Sequence, residues 1–97
     1  MNSEILVVVK DPGKPAVQKR IPNTLDAFQR EVDGYIETVR IASGLIAVVN
    51  EEGRLRGLPS SGIKGLVGTV VICAEHKDEF AGLKQQDADF LVELLRA

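Results

Sequence analysis

Three runs of the chain, Ile5 to Val9, Leu45 to Val49 and Leu66 to Ile72, are apolar at nearly every position. Side chains alternate between the two faces of a strand, so such runs need cover on both faces of the sheet they build. That requirement constrains the fold more than any other feature. The chain has two stretches of helical character, and two short helices are expected to cover one face. The other face then needs a sheet that curls on itself, or a second subunit. A homodimer or higher oligomer is the expected assembly.

The remaining elements follow from local signals. Asp11-Pro12-Gly13 ends the first run as a turn, and Ala16 to Ile21 predicts a second strand pairing back on it. Pro22-Asn23-Thr24 opens a helix, with Asn23 or Thr24 as cap and Asp26 favourable in the first turn. Leu25, Phe28 and Val32 recur as one apolar stripe, and Gly34 stands where a left-handed C-terminal cap is expected. Tyr35 to Ile41 reads as a strand, Leu45 to Val49 as another, and Asn50-Glu51-Glu52-Gly53 as a hairpin turn into Arg54-Leu55-Arg56. A strand is predicted over Leu66 to Ala74 and a charged turn over Glu75 to Glu79. The last helix is predicted over Gln86 to Arg96, with Phe90, Leu91, Leu94 and Leu95 on one side. The pattern predicts an α+β domain spanning residues 1–97, with a mainly antiparallel sheet of about five strands and two helices, one central and one C-terminal.

Composition excludes some classes. The apolar share of 44% is that of a globular chain, and an aromatic share of 4% means an aliphatic core. A net charge of −2 suits neither a binder of nucleic-acid polymers nor a dense acidic mimic of one. Cys73 is the single cysteine, so no disulfide forms within the chain and a reducing, cytoplasmic setting is expected. The longest apolar run, Ile5 to Val9, is too short to span a bilayer, and no membrane partner is expected.

Catalytic and metal-binding patterns are weak. Cys73 and His76 have an odd spacing that puts them on opposite faces of a strand, which works against a nucleophile–base pair. One cysteine and one histidine leave a structural zinc two ligands short. The carboxylates at Glu51-Glu52, Asp78-Glu79 and Asp87/Asp89 read as solvated turn and helix residues. No catalytic residue, metal or cofactor is expected.

The stretch Arg54-Leu55-Arg56-Gly57-Leu58-Pro59-Ser60-Ser61-Gly62-Ile63-Lys64-Gly65 combines cations, hydroxyls and mobile backbone with no acid. Arg54, Arg56 and Lys64 supply charge, Ser60 and Ser61 supply donors, and Gly57 and Gly62 let the backbone approach a ligand. Tyr35 is the residue expected to stack on a base. The stretch is no phosphate loop of the Walker kind: Ile63-Lys64 replaces Lys-Ser/Thr, and a strand follows where a helix is needed. Gly62-Ile63-Lys64-Gly65 matches a KH clamp in letters alone, since that clamp joins two helices. The alternative is a long solvated connection between strands.

Several pieces recur together: D-P-G-K-P at 11–15, T-L-D-A-F-Q-R-E-V-D-G-Y-I-E at 24–37, N-E-E-G-R-L-R-G-L-P at 50–59 and G-T-V-V-I at 68–72. On these the chain resembles the domain of unknown function 3846 family, small proteins of bacteriophages, mobile elements and their bacterial hosts. Gly34-Tyr35-Ile36-Glu37, Asn50-Glu51-Glu52-Gly53 with Gly57-Leu58-Pro59, and Gly68-Thr69 are its most specific pieces. The likeness departs after Leu58-Pro59, where this chain has Ser60-Ser61-Gly62. The resemblance implies an accessory factor that tunes or antagonises host functions, and no catalytic residue. The expectation is a non-enzymatic sponge for an anionic small molecule such as a nucleotide signal, antagonising host defence. The alternative is a module that binds a host protein.

Overall fold

The computed structural model describes residues 4–96. β1 (Glu4–Lys10) and β2 (Val17–Pro22) form one hairpin, α1 (Leu25–Val32) follows, and β3 (Ile36–Ala42) and β4 (Leu45–Asn50) form a second hairpin. β5 (Val70–His76), β6 (Glu79–Ala81) and α2 (Gln85–Leu94) complete the described chain. The sheet runs β2-β1-β5-β4-β3, with all neighbours antiparallel and β6 paired to β5. This is the expected α+β architecture with a central and a C-terminal helix.

The charged turn expected at Glu75 to Glu79 narrows to Lys77-Asp78, and an unexpected sixth strand follows it. Lys77 and Asp78 both take positive φ, at 53° and 65°, and His76 pairs with Glu79 across them. Two positive-φ residues make the tight turn whose twist matches a hairpin, a role usually announced by Asn or Gly. Asp78 is the one residue here suited to that role, and the three-residue return strand is too short to show a pattern of its own.

Alternation divides the core into two layers. Leu6, Val8, Ala47, Val49, Val70 and Ile72 face one way, against Ala88 and Leu91 of α2. Val7, Val9, Ile46, Val48, Val71 and Cys73 face the other way, against Ala27, Phe28 and Val32 of α1. The helices therefore cover opposite faces, and the expectation that both serve a single face is corrected. The reason is topological. α1 joins the two hairpins across one side, while α2 lies over β1 and β2 on the other, where Ile63 and Leu66 extend its layer. The apolar runs are thus covered within one chain, so they give no reason for a second subunit.

Several local expectations shift. Thr24 is the cap of α1, its Oγ1 accepting from the Ala27 amide at 3.2 Å. The left-handed cap is Asp33 (φ 60°), not Gly34. Leu25 stands at the first turn of α1 and is 57% exposed, so the buried stripe is Ala27, Phe28 and Val32. On α2, Ala88 and Leu91 are buried, while Phe90 and Leu94 face solvent. Leu66 to Thr69 stay outside β5, because Gly68 turns the backbone at φ 74°.

Candidate functional site

The segment between β4 and β5 is a folded strap. The expected hairpin at Asn50 to Gly53 does not form, and Arg54-Leu55-Arg56 are turn residues. Asn50 explains why. Its buried side chain turns back to α1, donating from Nδ2 to the Val32 and Asp33 carbonyls at 3.1 and 3.0 Å. Its Oδ1 accepts from the Glu52 amide at 2.8 Å, which closes a local turn instead of a strand. Successive turns follow, with Gly53 N to Asn50 O at 3.1 Å, Arg56 N to Glu52 O at 2.9 Å and Leu58 N to Gly53 O at 3.0 Å.

Ser61 anchors the far half of the strap. It is fully buried, its hydroxyl donates to the Leu66 carbonyl at 2.8 Å, and it accepts from the Ile63 amide at 3.0 Å. Ser60 accepts from the Gly62 amide at 3.2 Å and bridges to Val67. Both hydroxyls are thus engaged in holding the strap's own turns.

Beneath the strap, at the β3 side of the sheet, lies a cavity of about 410 Å³. Val39, Val49, Leu66 and Val67 make its apolar wall. Arg54, Lys64 and Gly65 contribute from the strap, and Glu37 and Glu51 from the end of the β3–β4 ladder. The Arg54 guanidinium donates from Nη2 to the Gly65 carbonyl, which ties the two ends of the candidate loop together. Among the described residues neither Arg54 nor Lys64 forms an ion pair.

The candidate residues therefore separate. Arg54 and Lys64 share this cavity; Arg56 does not. Arg56 turns toward the C-terminal end of α1, donating to the Asp33 carbonyl at 3.0 Å with its Nη2 at 3.6 Å from Asp33 Oδ2. There it borders a smaller hollow of about 170 Å³ with Pro12, Leu58, Pro59 and Thr69. Gly57 and Gly62 take positive φ, 69° and 94°, in turns outside the larger cavity's wall. Tyr35 is exposed, offers its backbone carbonyl to the Glu51 amide at 2.9 Å, and lines neither space. Sequence reasoning missed Glu37 and the Val39–Val49 wall. The signal was present in strand alternation, which puts Glu37 and Val39 on one face, but the pairing of Glu37 with Val49 supplies the context.

The model for the family described as Domain of unknown function (DUF3846) matches residues 4–96. The chain belongs to the DUF3846 family. Comparison with curated proteins and with solved structures returned no match. In this DUF3846 chain the specific sequence pieces meet in space. A Cβ on Gly34 would lie 2.6 Å from Asn50 Nδ2, one on Gly53 2.9 Å from Val67 Cγ2, and one on Gly68 2.9 Å from Leu58 Cδ1. Thr69 donates to Asp11 at 2.7 Å, joining G-T to D-P-G. These contacts pack the strap on itself and clasp it to the end of α1 and to the turn after β1.

The other chemistry-bearing residues stand apart. Cys73 is buried on the α1 face and His76 is exposed on the α2 face, as their spacing predicts. Burial pushes the Cys73 thiol from 9.0 to about 12, with the charge of Glu75 adding to it. Among the described residues no three His, Cys, Asp or Glu side chains group to hold a metal ion. No helix among them is long and apolar enough to cross a membrane.

Proposed function

We propose that the protein is a non-enzymatic binder of an anionic small molecule, of the size and charge of a nucleotide, in the cavity beneath the strap. One observation carries the reading: Arg54 and Lys64 converge on a 410 Å³ space with an aliphatic wall, and neither is ion-paired with a carboxylate among the described residues. The volume lies in the range of small-molecule sites, about 300–1,000 Å³. Arginine offers a planar fork and lysine a point charge, a pair suited to phosphate oxygens. In the phage or mobile-element setting that the resemblance implies, such a cytoplasmic binder acts as a sponge, withdrawing a nucleotide signal from host defence.

Calorimetry against nucleoside monophosphates tests it. Arg54→Ala with Lys64→Ala abolishes binding, whereas Arg56→Ala, outside the cavity, leaves it within about threefold. Equal loss in both variants removes the assignment to this cavity.

A second reading, a module that binds a host protein, is favoured by one feature. β3 is an edge strand whose Glu37, Thr38, Arg40, Ile41 and Ala42 are exposed. An open edge accepts an added strand, from a partner or from a second copy. Replacing Thr38 by Pro blocks that route, so retention of a host protein or of self-association by Thr38→Pro removes it.

A further inference from the structure

We infer that the cavity beneath the strap selects guanine over the other nucleobases, with Glu37 and Glu51 reading its donor edge. The inference rests on the binder reading above and names the ligand within it. Glu37 pairs with Val49 in the β3–β4 ladder, and the Glu51 amide bonds the Tyr35 carbonyl one step further along. Two carboxylates therefore leave the same end of the ladder and line the same cavity as Arg54 and Lys64.

None of the four charges pairs with another. Two cations and two anions thus share one space without neutralising each other, a distribution that suits a ligand carrying both an anion and a cluster of hydrogen-bond donors. A purely anionic ligand is opposed by the two carboxylates.

Ionised carboxylates accept and never donate. Guanine presents N1–H and the N2 amino group side by side, so one carboxylate takes two parallel hydrogen bonds and the second takes the remaining amino hydrogen. Adenine and cytosine place a ring-nitrogen lone pair beside their amino group, which repels a carboxylate oxygen. Uracil flanks its single N–H with two carbonyls. Val39, Val49 and Leu66 offer the base an apolar surface, while Arg54 and Lys64 hold the phosphate. Each partner on the wall has a matching part of a guanine nucleotide.

Calorimetric titration with GMP, AMP, CMP, UMP and inorganic pyrophosphate distinguishes the inference from the reading beneath it. For the intact protein GMP binds at least about tenfold tighter than AMP, the discrimination a bidentate contact provides. Glu37→Gln with Glu51→Gln erases that preference while pyrophosphate affinity holds or rises, and far-ultraviolet dichroism confirms that the exposed substitutions leave the fold intact. Equal affinity for GMP and AMP, or a guanine preference that survives the double substitution, overturns the inference and leaves the binder reading standing. If neither pyrophosphate nor any nucleotide binds, both fall together.

Discussion

The side-chain nitrogen of Lys10 donates to the backbone carbonyl of Ser61 at 2.9 Å, fifty-one residues away in sequence, and both residues are buried. Lys10 ends β1 on the face of Leu6 and Val8, so strand alternation carries it inward, and a second donation to Asp11 O at 3.1 Å holds it there. Lysine usually keeps its amine in water. Here it fastens the strap to the sheet.

Lys10→Met, which keeps an unbranched side chain out to the ε position and removes the terminal donor, leaves the Ser61 carbonyl without this partner. A loss of about 1–3 kcal/mol is expected, read from the midpoint of urea unfolding at unchanged slope. An unshifted midpoint would show that water replaces the lysine without cost.

The close approach of Gly34 to Asn50 makes a second prediction. In Gly34→Ala the added methyl meets Asn50 Nδ2 at 2.6 Å, and the amide cannot retreat without losing its bonds to Val32 and Asp33. The expected destabilisation is about 1–3 kcal/mol. Gly44→Ala is the comparison: its turn has positive φ (78°) but open space around the new methyl. That variant reports backbone strain without a clash, at about 1 kcal/mol, and the larger loss at Gly34 is the check.

Cys73 predicts an alkaline dependence. The folded chain keeps the thiol proton until about 12, whereas the unfolded chain releases it near 9.0. Between those values the folded state binds more protons, so stability is unaffected below pH 9.0 and declines as the pH rises toward 12. Cys73→Val removes this contribution. Comparing urea midpoints at neutral pH and at about pH 10.5, the wild type should lose more than the variant; equal losses would contradict the assignment.

The two faces of α2 predict opposite responses to truncation. Leu91 is 6% exposed and packs in the core, so Leu91→Ala is expected to cost about 2–5 kcal/mol. Phe90 is 65% exposed, so Phe90→Ala is expected to change stability by no more than about 0.5 kcal/mol. Thermal melts of the two variants order them; a larger loss at Phe90 would mean that its ring is covered in solution.

How much of the fold is legible in the sequence follows the range of the signals. β1, β4 and α1 were legible because their patterns are local: β-branched runs, a threonine cap and a stripe ending at Val32. The stripe on α2 misled because Phe90, Leu91, Leu94 and Leu95 crowd both sides of its boundary, and small Ala88 marks the buried side. The strap departs from its sequence pattern for a different reason. Asn50 and Gly53 carry a hairpin's letters, but Asn50 is satisfied by carbonyls of α1, a contact no local pattern encodes. The same gap affects the candidate site. Arg54, Arg56 and Lys64 are close in sequence, yet Arg56 turns to Asp33, and one of the cavity's two acids, Glu37, arrives from β3.

The sheet order has a kinetic meaning. β1–β2 and β3–β4 are local hairpins, but each gains its inner neighbour only when β5 inserts between them. Closing the strap, and the longer stretch back to β1, costs more chain entropy than closing either hairpin. Without β5 the inner edges of β1 and β4 have no strand partner, and an isolated hairpin is marginal in water. The Lys10–Ser61 tie joins the first strand to the segment just ahead of β5, so one buried amine links the two halves that β5 unites.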